Sequence, residues 1–524
     1  MVPAFIGIPG EWGMSDAATP AGVQAFYDQV TNVSDFIWGG TWNGEAVIPF
    51  PPMVIVLLGV GAWIMIGLRF YPLLKLGEAF AGLFKKDPSG KGEISPFAAL
   101  STALSGQVGT GNLAGVATAI TLGGPGALFW MWVTALFGMA LAFAEGSLAI
   151  RFRDVGPDGA YRGGPMSYIR KGLGKKWSWL AILFCLGTLF SAVATGNMIQ
   201  ANSIADSITN LVPVTEWGAG LIVAAAVFVV IIGGIKSIGS VAEKVVPVMA
   251  VSYLLLALLA LILNIEDLPA TFVMIFDSAF TGMAATGGFV GAGVMMAIRA
   301  GVARGLFSNE AGQGSTPIAH AVAQTDDPEQ QGRMAMLGTF IDTIVICTMT
   351  ALVILTVEGD FTYQGQAVQH VWQSDLGTTQ MSGFVTTSGA FAAAFPTLIA
   401  GIPLGTLVAS VALILFVFTG LLTWSYYGER AITFLYDRIP GSTRGGEKIL
   451  HIIWRVIWCI GIFVGATQPS QLVWRLGDIS NAAMALPNLL ALALLSGVVF
   501  KLAKGERDAG PTHTEDTPEE PEEY

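Results

Sequence analysis

The sequence predicts an all-α protein that crosses a membrane about eleven times. The first observation is composition: 53% of the 524 residues are hydrophobic, only 12% are charged, and the mean hydropathy is +0.63. Soluble globular domains carry about twice that charged fraction. The second observation is that the apolar segments approach the roughly 20 residues that a helix needs to cross a bilayer. The third is that glycine and polar residues interrupt two of these segments.

The predicted spans follow one another with short connections. They lie at 51–73, 97–121, 126–150, 178–206, 217–236, 244–264, 297–324, 334–357, 402–425, 448–467 and 474–500. Two further apolar stretches, 270–296 and 361–400, are interpreted as extracytoplasmic hairpins or half-helices rather than as full spans. An odd number of spans places the two termini on opposite sides of the lipid bilayer.

Basic residues set the orientation of the spans. Lysine and arginine concentrate in the loops after the first, third, fifth, seventh and ninth spans, and the other loops are poor in them. The positive-inside rule therefore predicts an extracytoplasmic N-terminus and a cytoplasmic C-terminus in the cell membrane. Much of the net charge of −11 lies in the acidic tail after Arg507, which we expect to be disordered. No nucleic-acid partner is indicated.

The second span is interrupted in its middle by SGQVGTGN, residues 105–112. Each interior glycine costs a helix about 0.5–1 kcal/mol relative to alanine, so we expect the helix to unwind here. Backbone groups left unpaired at membrane depth are costly unless a polar ligand occupies them. A carboxylate suits the exposed N–H groups, and a cation suits the freed carbonyls.

A second interruption, GLFSNEAGQGSTP at residues 305–317, occurs five spans later. Paired interruptions at corresponding positions indicate the binding site of a transporter with an inverted repeat. The alternative is that both stretches are glycine-rich seams where helices pack closely. The predicted units are an extracytoplasmic segment at 1–50, an extra helix and its loop at 51–96, two five-helix repeats at 97–264 and 265–500, and the tail at 501–524.

Three stretches carry a resemblance to a known family. They are SGQVGTGNLAGVATAI followed by GGPGALFWMWVTALFGMA, then GVARGLFSNEAGQGSTPIAHA, and finally TWSYYGERA. They resemble the alanine or glycine:cation symporter family over residues 51–500. The resemblance implies a Na+-coupled importer of alanine and glycine with the five-plus-five leucine-transporter-like fold.

Other functions remain as alternatives to that expectation. The nearest is a carrier of the same fold that uses protons or takes another substrate. A channel would need a pore-lining ring rather than two broken helices. An enzyme is not expected, because the spans contain no catalytic constellation. The preference among glycine, L-alanine and D-alanine, the ion stoichiometry and the oligomeric state stay open.

The resemblance assigns roles at the first interruption. The substrate carboxylate would bind backbone N–H groups and one hydroxyl, supplied by Gly106, Gln107, Thr110 and Gly111. Na+ would bind two carbonyls and a polar side chain, supplied by Ser105, Val108 and Asn112. The alternative for the Thr110 hydroxyl is a hydrogen bond to a carbonyl of its own helix.

At the second interruption, residues facing the pocket would leave carbonyls for the substrate ammonium: Phe307, Ser308 and Asn309. Glu310 is interpreted as a brace that accepts N–H bonds within the unwound turn, the alternative being a protonatable group or the counter-charge of a cation. Arg299 and Arg304 flank this stretch and are expected to pair with Glu310 or to attract anions. Asp342 is expected to pair with an arginine or to line the vestibule.

Two further spans are expected to complete the site. Gln200 lies on one helical face with Asn197, where it binds the substrate or joins helices to each other. By resemblance, Thr419 completes the cation site, and the hydroxyl of Thr423, one turn away, also suits Na+. Trp424 would cap a pocket that admits only small side chains. The alternative for Trp424 is an anchor at the membrane interface.

Overall fold

A computed structural model describes residues 21–85, 90–156, 159–281, 290–363, 366–373, 383–468 and 470–510. Within these ranges the chain is mostly helical, and its strands form short antiparallel hairpins. The hairpins pair Thr41–Trp42 with Glu45–Ala46, Asp154–Val155 with Tyr161–Arg162, Glu358–Tyr363 with Gln366–His370, and Leu398–Ile399 with Ile402–Pro403. Most of the predicted acidic tail lies outside the described residues.

The principal helices are numbered in chain order. They are α1 (Ala21–Gly39), α2 (Pro52–Gly67), α3 (Pro96–Gln107), α4 (Gly111–Gly123), α5 (Gly126–Arg151), α6 (Lys175–Thr209), α7 (Glu216–Ile231), α8 (Gly234–Leu263), α9 (Leu268–Thr281), α10 (Val290–Asn309), α11 (Thr316–His320), α12 (Pro328–Thr356), α13 (Gly383–Ala394), α14 (Leu404–Tyr436), α15 (Arg444–Gly465) and α16 (Ser470–Leu502). Shorter helical turns occupy Tyr71–Leu74, Leu76–Ala81, Pro165–Tyr168, Ile169–Leu173, Ile265–Asp267 and Val371–Gln373.

A helix lies within each of the predicted spans. Seven helices in the described part of the chain are long and apolar enough to cross a membrane: α5, α6, α8, α12, α14, α15 and α16. Three shorter apolar helices, α2, α4 and α7, accompany them. The predicted all-α membrane fold is therefore confirmed, while the number of crossings and the boundaries of the repeats stay predictions.

The two stretches predicted as hairpins or half-helices contain short elements. The first holds α9, which is 14 residues long, and the beginning of α10. The second holds part of the Glu358–Tyr363 hairpin and α13, which is 12 residues long. An α-helix rises about 1.5 Å per residue, so neither α9 nor α13 alone has the length of a membrane span.

The two broken helices pack side by side in opposite directions. The N–H of Glu93, just before α3, donates to the carbonyl of Val322, just after α11, at 2.8 Å. At the other end, a Cβ on Gly123 of α4 would lie only 2.8 Å from the Cβ of Ala300 in α10. The beginning of one broken helix therefore lies beside the end of the other, and their interruptions meet midway.

α1 joins α10 to α16 at one end of the bundle. The carboxylate of Asp35 in α1 pairs with both Arg299 of α10 and Arg475 of α16. Arg304 of α10 pairs with Asp478 of α16 at 2.8 Å. The expectation that Arg299 and Arg304 pair with Glu310 is therefore wrong, because both arginines take aspartates on other helices.

Candidate functional site

The first interruption is a real break in the helix. α3 ends at Gln107, and Val108 turns the chain into an extended conformation with ψ of 96°. Helical structure resumes at Gly111 with a π-helical turn. Gly109 and Thr110 lie between the two segments, where the helical ladder of hydrogen bonds is interrupted, as the glycines in this stretch predict.

Side-chain amide oxygens accept the hydrogen bonds of this break. The N–H of Gly109 donates to Oδ1 of Asn112 at 2.8 Å. The N–H and the hydroxyl of Thr110 both donate to Oε1 of Gln200, at 3.2 and 2.7 Å. Thr110 therefore bonds to α6 rather than to its own helix. The three donors, on two consecutive residues, thus bond two neutral amide oxygens, and carboxylate oxygens accept hydrogen bonds from the same kinds of donor.

The second interruption depends on left-handed backbone conformations. α10 ends at Asn309, and α11 begins at Thr316. Between them, φ is 56° at Glu310, 83° at Gly312 and 91° at Gly314. Glycine adopts such angles without steric cost, whereas a residue with a Cβ is uncommon there. The sequence stretch EAGQG therefore forms a tight turn that a continuous helix could not contain.

Glu310 is held inside this turn. Its Oε2 accepts a hydrogen bond from the Ser315 hydroxyl at 2.5 Å, and its carboxylate also interacts with the side chain of Trp424. Glu310 thus braces the turn, although through a hydroxyl rather than through the backbone N–H groups that the sequence suggested.

A second brace comes from Glu145 in α5, which sequence reasoning missed. This carboxylate is fully buried, interacts with the backbone N–H groups of Gly312 and Gly314, and accepts a hydrogen bond from Nδ2 of Asn488 at 2.6 Å. The same amide of Asn488 donates to the Gly312 carbonyl at 3.0 Å. A search for acids within predicted spans would have found Glu145, because such acids are rare and usually functional.

Asp342 in α12 joins the two breaks. One of its oxygens accepts from Nδ2 of Asn112 at 2.6 Å. The other accepts from the hydroxyls of Ser308 at 2.9 Å and Thr343 at 2.7 Å. Asn309 donates to the Thr343 hydroxyl at 3.1 Å. Among the described residues Asp342 therefore takes neutral partners instead of the expected arginine, and its side chain is fully buried.

The breaks also touch directly. Nε2 of Gln107 donates to the carbonyl of Asn309 at 2.6 Å. A Cβ on Gly111 would lie 3.0 Å from the Cα of Ser308 and 3.1 Å from the ring of Phe307. Glycine at position 111 is therefore what allows the two backbones to approach each other.

A cluster of oxygens lies where α3 meets α14. The hydroxyl oxygens of Ser105 and Thr423 lie within hydrogen-bond distance of each other and 2.8 and 3.1 Å from the carbonyl oxygen of Thr102, so their two hydrogens serve two of these three contacts. A Cβ on Gly420 would lie 3.3 Å from the Ser105 carbonyl. The Thr419 hydroxyl instead bonds two carbonyls of its own helix, at 3.0 and 3.2 Å. The structure therefore brings Thr423 to Ser105 but does not bring Thr419 there.

Two buried aromatic side chains lie beside the breaks. Trp424 is 1% exposed, and a Cβ on Gly196 would lie 2.4 Å from its indole. An anchor at the membrane interface would face lipid, so this alternative for Trp424 is excluded. Phe307 packs on Trp474 with ring centroids 4.9 Å apart and also reaches Gly111.

Gly106, near the end of α3, faces α14 and the second break. A Cβ on Gly106 would lie 3.3 Å from the side chain of Thr423 and 3.4 Å from that of Glu310.

The sequence profile of the sodium:alanine symporter family matches residues 34–515, which include both breaks, α12 and α14. The chain belongs to this family. The resemblance seen in the sequence is thereby confirmed. Because members of the family are Na+-coupled symporters rather than enzymes, the chain is a transporter of the amino-acid symporter type.

Relatives within the family differ in the substrates for which they are named. The chain is 41% identical to the sodium/alanine symporter AgcS of Methanococcus maripaludis, over 91% of this chain and 97% of that protein. It is 35% identical to the probable sodium/glutamine symporter GlnT of Bacillus subtilis, over 86% and 87%. Among solved structures, a manganese transporter of Eremococcus coleocola has a TM-score of 0.48 at 14% identity, over 78% of this chain and 84% of that chain.

The brace at the second break generates a prediction about stability. Asn488→Ala removes the partner of both the Gly312 carbonyl and the Glu145 carboxylate at buried positions. A buried polar group that loses its partner costs about 1–3 kcal/mol, so we expect a lower melting temperature of the detergent-purified protein. Asn264→Ala is the matched control, because Asn264 bonds only a carbonyl of its own helix. Equal melting temperatures of the two variants would contradict the brace.

Proposed function

We propose that this transporter imports small neutral amino acids, chiefly alanine and glycine, by symport with Na+ through alternating access. Its N-terminus would lie outside the cell membrane and its C-terminus in the cytoplasm, as the distribution of basic residues predicts. The observation that carries the proposal is the first break, where Gln200 and Asn112 supply amide oxygens to three donors on the consecutive residues Gly109 and Thr110.

The substrate carboxylate would replace those amide oxygens. A carboxylate is a stronger acceptor than an amide, because its hydrogen bonds are charge-assisted. The break also lies at the N-terminal end of α4, where the helix dipole favours negative charge. Gln200 would then move aside or bind another part of the substrate. In the bilayer, the same donors would stay satisfied with and without substrate, which permits reversible binding.

The substrate ammonium would bind at the second break. The N–H of Ala311 donates to Oδ1 of Asn309 at 3.0 Å, so the carbonyl of Phe307 loses the donor that a continuing helix would supply. This carbonyl belongs to a residue that contacts Gly111 of the first break. An amino acid bound between the two breaks would therefore have the donors of the first break for its carboxylate and the Phe307 carbonyl of the second break for its ammonium group.

Na+ would bind the oxygen cluster between α3 and α14. Ser105, Thr423 and the Thr102 carbonyl supply neutral, hard oxygen atoms, which suit an alkali cation. The Ser105 carbonyl faces Gly420 and could join them with a small movement. Sodium appears in the family name and in the names of relatives, which supports this choice of cation.

Substrate size would be limited by the aromatic side chains. Phe307 and Trp424 are both buried; Phe307 lies beside Gly111 of the first break, and Trp424 interacts with Glu310 of the second. A larger substrate side chain would have to displace packed rings, and overpacking of this kind costs about 1–3 kcal/mol. Alanine and glycine would escape this penalty.

The cation cluster predicts different effects for two threonines of α14. Thr423→Ala removes a proposed ligand, so we expect the Na+ concentration for half-maximal alanine uptake to rise about tenfold or more. Thr419→Ala removes a hydroxyl that bonds its own helix, and we expect little change. Uptake by proteoliposomes over a range of Na+ concentrations measures both. The opposite result would favour the ligand assigned by resemblance, Thr419, over Thr423.

The carboxylate site predicts a loss of affinity in Thr110→Val. This change keeps the volume of the side chain but removes a hydroxyl that would donate to a charged group, an interaction worth about 1.5–3 kcal/mol. We expect alanine to bind at least about tenfold more weakly in calorimetry. Thr118→Val, in the helix α4 that follows, removes a hydroxyl that bonds its own helix and serves as the control. Normal alanine binding by Thr110→Val would place the carboxylate elsewhere.

The aromatic wall predicts broader substrate selection in Trp424→Ala. Removing the indole opens space beside the second break, so larger amino acids such as leucine should compete better against labelled alanine. Alanine itself should bind more weakly, because it loses contacts. Trp63→Ala, at a side chain that is 58% exposed on the outer face of α2, is the control. If Trp424→Ala keeps the parent ranking of alanine over leucine, Trp424 does not form the wall.

A further inference from the structure

A sharp turn of the chain follows the apolar helix α2. The helix ends at Gly67, and both Arg69 and Phe70 then have left-handed backbone angles, with φ of 55° and 60°. Residues with a Cβ are uncommon in this conformation, which does not continue a right-handed helix. Residues 69–85, here called the surface segment, then form the short helical turns Tyr71–Leu74 and Leu76–Ala81. They therefore leave the axis of α2 before the chain reaches α3.

One side of the surface segment packs on the helix bundle. Pro72 and Ala79 are buried, and the ring of Tyr71 lies 4.9 Å from that of Phe143 in α5. The Tyr71 hydroxyl donates to the carboxylate of Glu329 at the beginning of α12. These contacts hold the segment in a defined position against α5 and α12.

The other side of the surface segment exposes large apolar side chains. Five of them are between 41% and 76% exposed: Phe70, Leu73, Leu74, Phe80 and Phe84. Apolar side chains that are exposed together in one short segment mark a surface that meets a membrane or another protein. The segment therefore requires a partner that covers this face.

The exposed face continues the lipid-facing surface of α2. Ile66, in the last turn of α2, and Trp63, about one turn earlier, are both more than half exposed. Phe70 follows Ile66 by four residues along the chain. Because the segment begins where an apolar helix ends, its exposed side chains lie at the surface of the bilayer that surrounds this helix.

Basic residues lie among the exposed apolar side chains. Lys75 pairs with Glu78 at 2.5 Å, whereas Arg69 and Lys85 are exposed and have no acidic partner in the described part of the chain. Segments with phenylalanine, leucine and basic residues lie between lipid headgroups and acyl chains, where the basic residues attract anionic lipids. A second copy of the chain would instead bring like charges together. An anionic lipid surface therefore fits this face better.

The surface segment also contacts the helices that carry the proposed site. The ring of Phe84 lies 5.1 Å from that of Phe97 in the first turn of α3, and the ring of Phe80 lies 5.9 Å from that of Phe340 in α12. α3 leads to Ser105 and the first break. A movement of α3 at this end must break the contact of Phe84 with Phe97 or displace the segment from the lipid.

We propose that the surface segment binds the cytoplasmic leaflet, with anionic headgroups at Arg69 and Lys85, and thereby favours the conformation in which α3 begins beside the end of α11. The inference rests on the proposed orientation and alternating access. A lipid shifts such an equilibrium only if it binds one conformation better, and the contact of Phe84 with Phe97 supplies this difference. The favoured conformation would accept alanine from the outside.

The position of Phe84 at the lipid surface is tested with a spin label. Phe84→Cys is labelled in a Cys459→Ser background, because the other two cysteines are buried. In liposomes that contain phosphatidylglycerol, we expect the label to be more accessible to oxygen than to a water-soluble nickel complex. The same label at Ser442→Cys, in the exposed turn after α14, should show the reverse. Equal preference for the nickel complex at both positions, or strong coupling between labels at position 84 of two copies, would overturn lipid binding.

The effect of the headgroups is tested by alanine uptake with and without phosphatidylglycerol. For the parent protein, we expect this lipid to lower the alanine concentration for half-maximal uptake about threefold or more. The double variant Arg69→Gln/Lys85→Gln should lose this response. Lys501→Gln/Lys504→Gln is the matched control, because it removes two exposed charges at the end of α16, outside the segment. The control should respond as the parent does.

The remaining outcomes separate this inference from the proposed function. Equal lipid responses of the two double variants would overturn headgroup binding by Arg69 and Lys85. Na+-driven alanine uptake by the parent protein that is the same in both lipids would overturn the inference and leave the proposed function intact. Absence of Na+-driven alanine uptake in either lipid would overturn the proposed function itself.

Discussion

A backbone N–H or C=O that leaves its helix inside a bilayer finds no water to bond, and the site described above depends on this constraint. The constraint applies at both broken helices of this chain, and the backbone groups of each break are satisfied in a different way. At the first break, long amide side chains from α4 and α6 reach the exposed donors. At the second, carboxylates from within the turn and from α5 brace a series of left-handed residues. In the proposed function the amide oxygens of the first break would give way to the substrate carboxylate, whereas the carboxylates at the second break would stay bonded to the turn.

The breaks themselves could be predicted from sequence, because glycine weakens a helix and clustered polar groups are costly within an apolar span. SGQVGTGN and GLFSNEAGQGSTP both contain the ends of helices that the structure shows. Helix rotation could not be predicted in the same way. Thr419 and Thr423 stand one turn apart on α14, and their spacing alone does not tell which one faces α3. The close approach at Gly420 brings Thr423, rather than Thr419, to Ser105.

Partners that are distant in the sequence account for most of the remaining differences. Arg299 and Arg304 flank the second break, so Glu310 looked like their nearest acid, but Asp35 and Asp478 reach them from α1 and α16. The last helix also supplies Asn488 to the turn, at a separation of 176 residues. Periodicity and motifs describe local conformation well, but they carry no information about which helices become neighbours.

The ion pairs that connect α1 to α10 and α16 have a consequence for the rate of transport. Asp35 holds Arg299 of α10 and Arg475 of α16, so α1 keeps the two helices together at that end as long as both ion pairs are intact. The family profile begins at residue 34, which leaves most of α1 before it. Asp35 lies within the profile but far along the chain from both breaks, so under the proposed alternating access its ion pairs would alter how fast this end of the protein opens while the groups that recognise substrate stay the same. Turnover and selectivity would then be free to change separately as such transporters diverge.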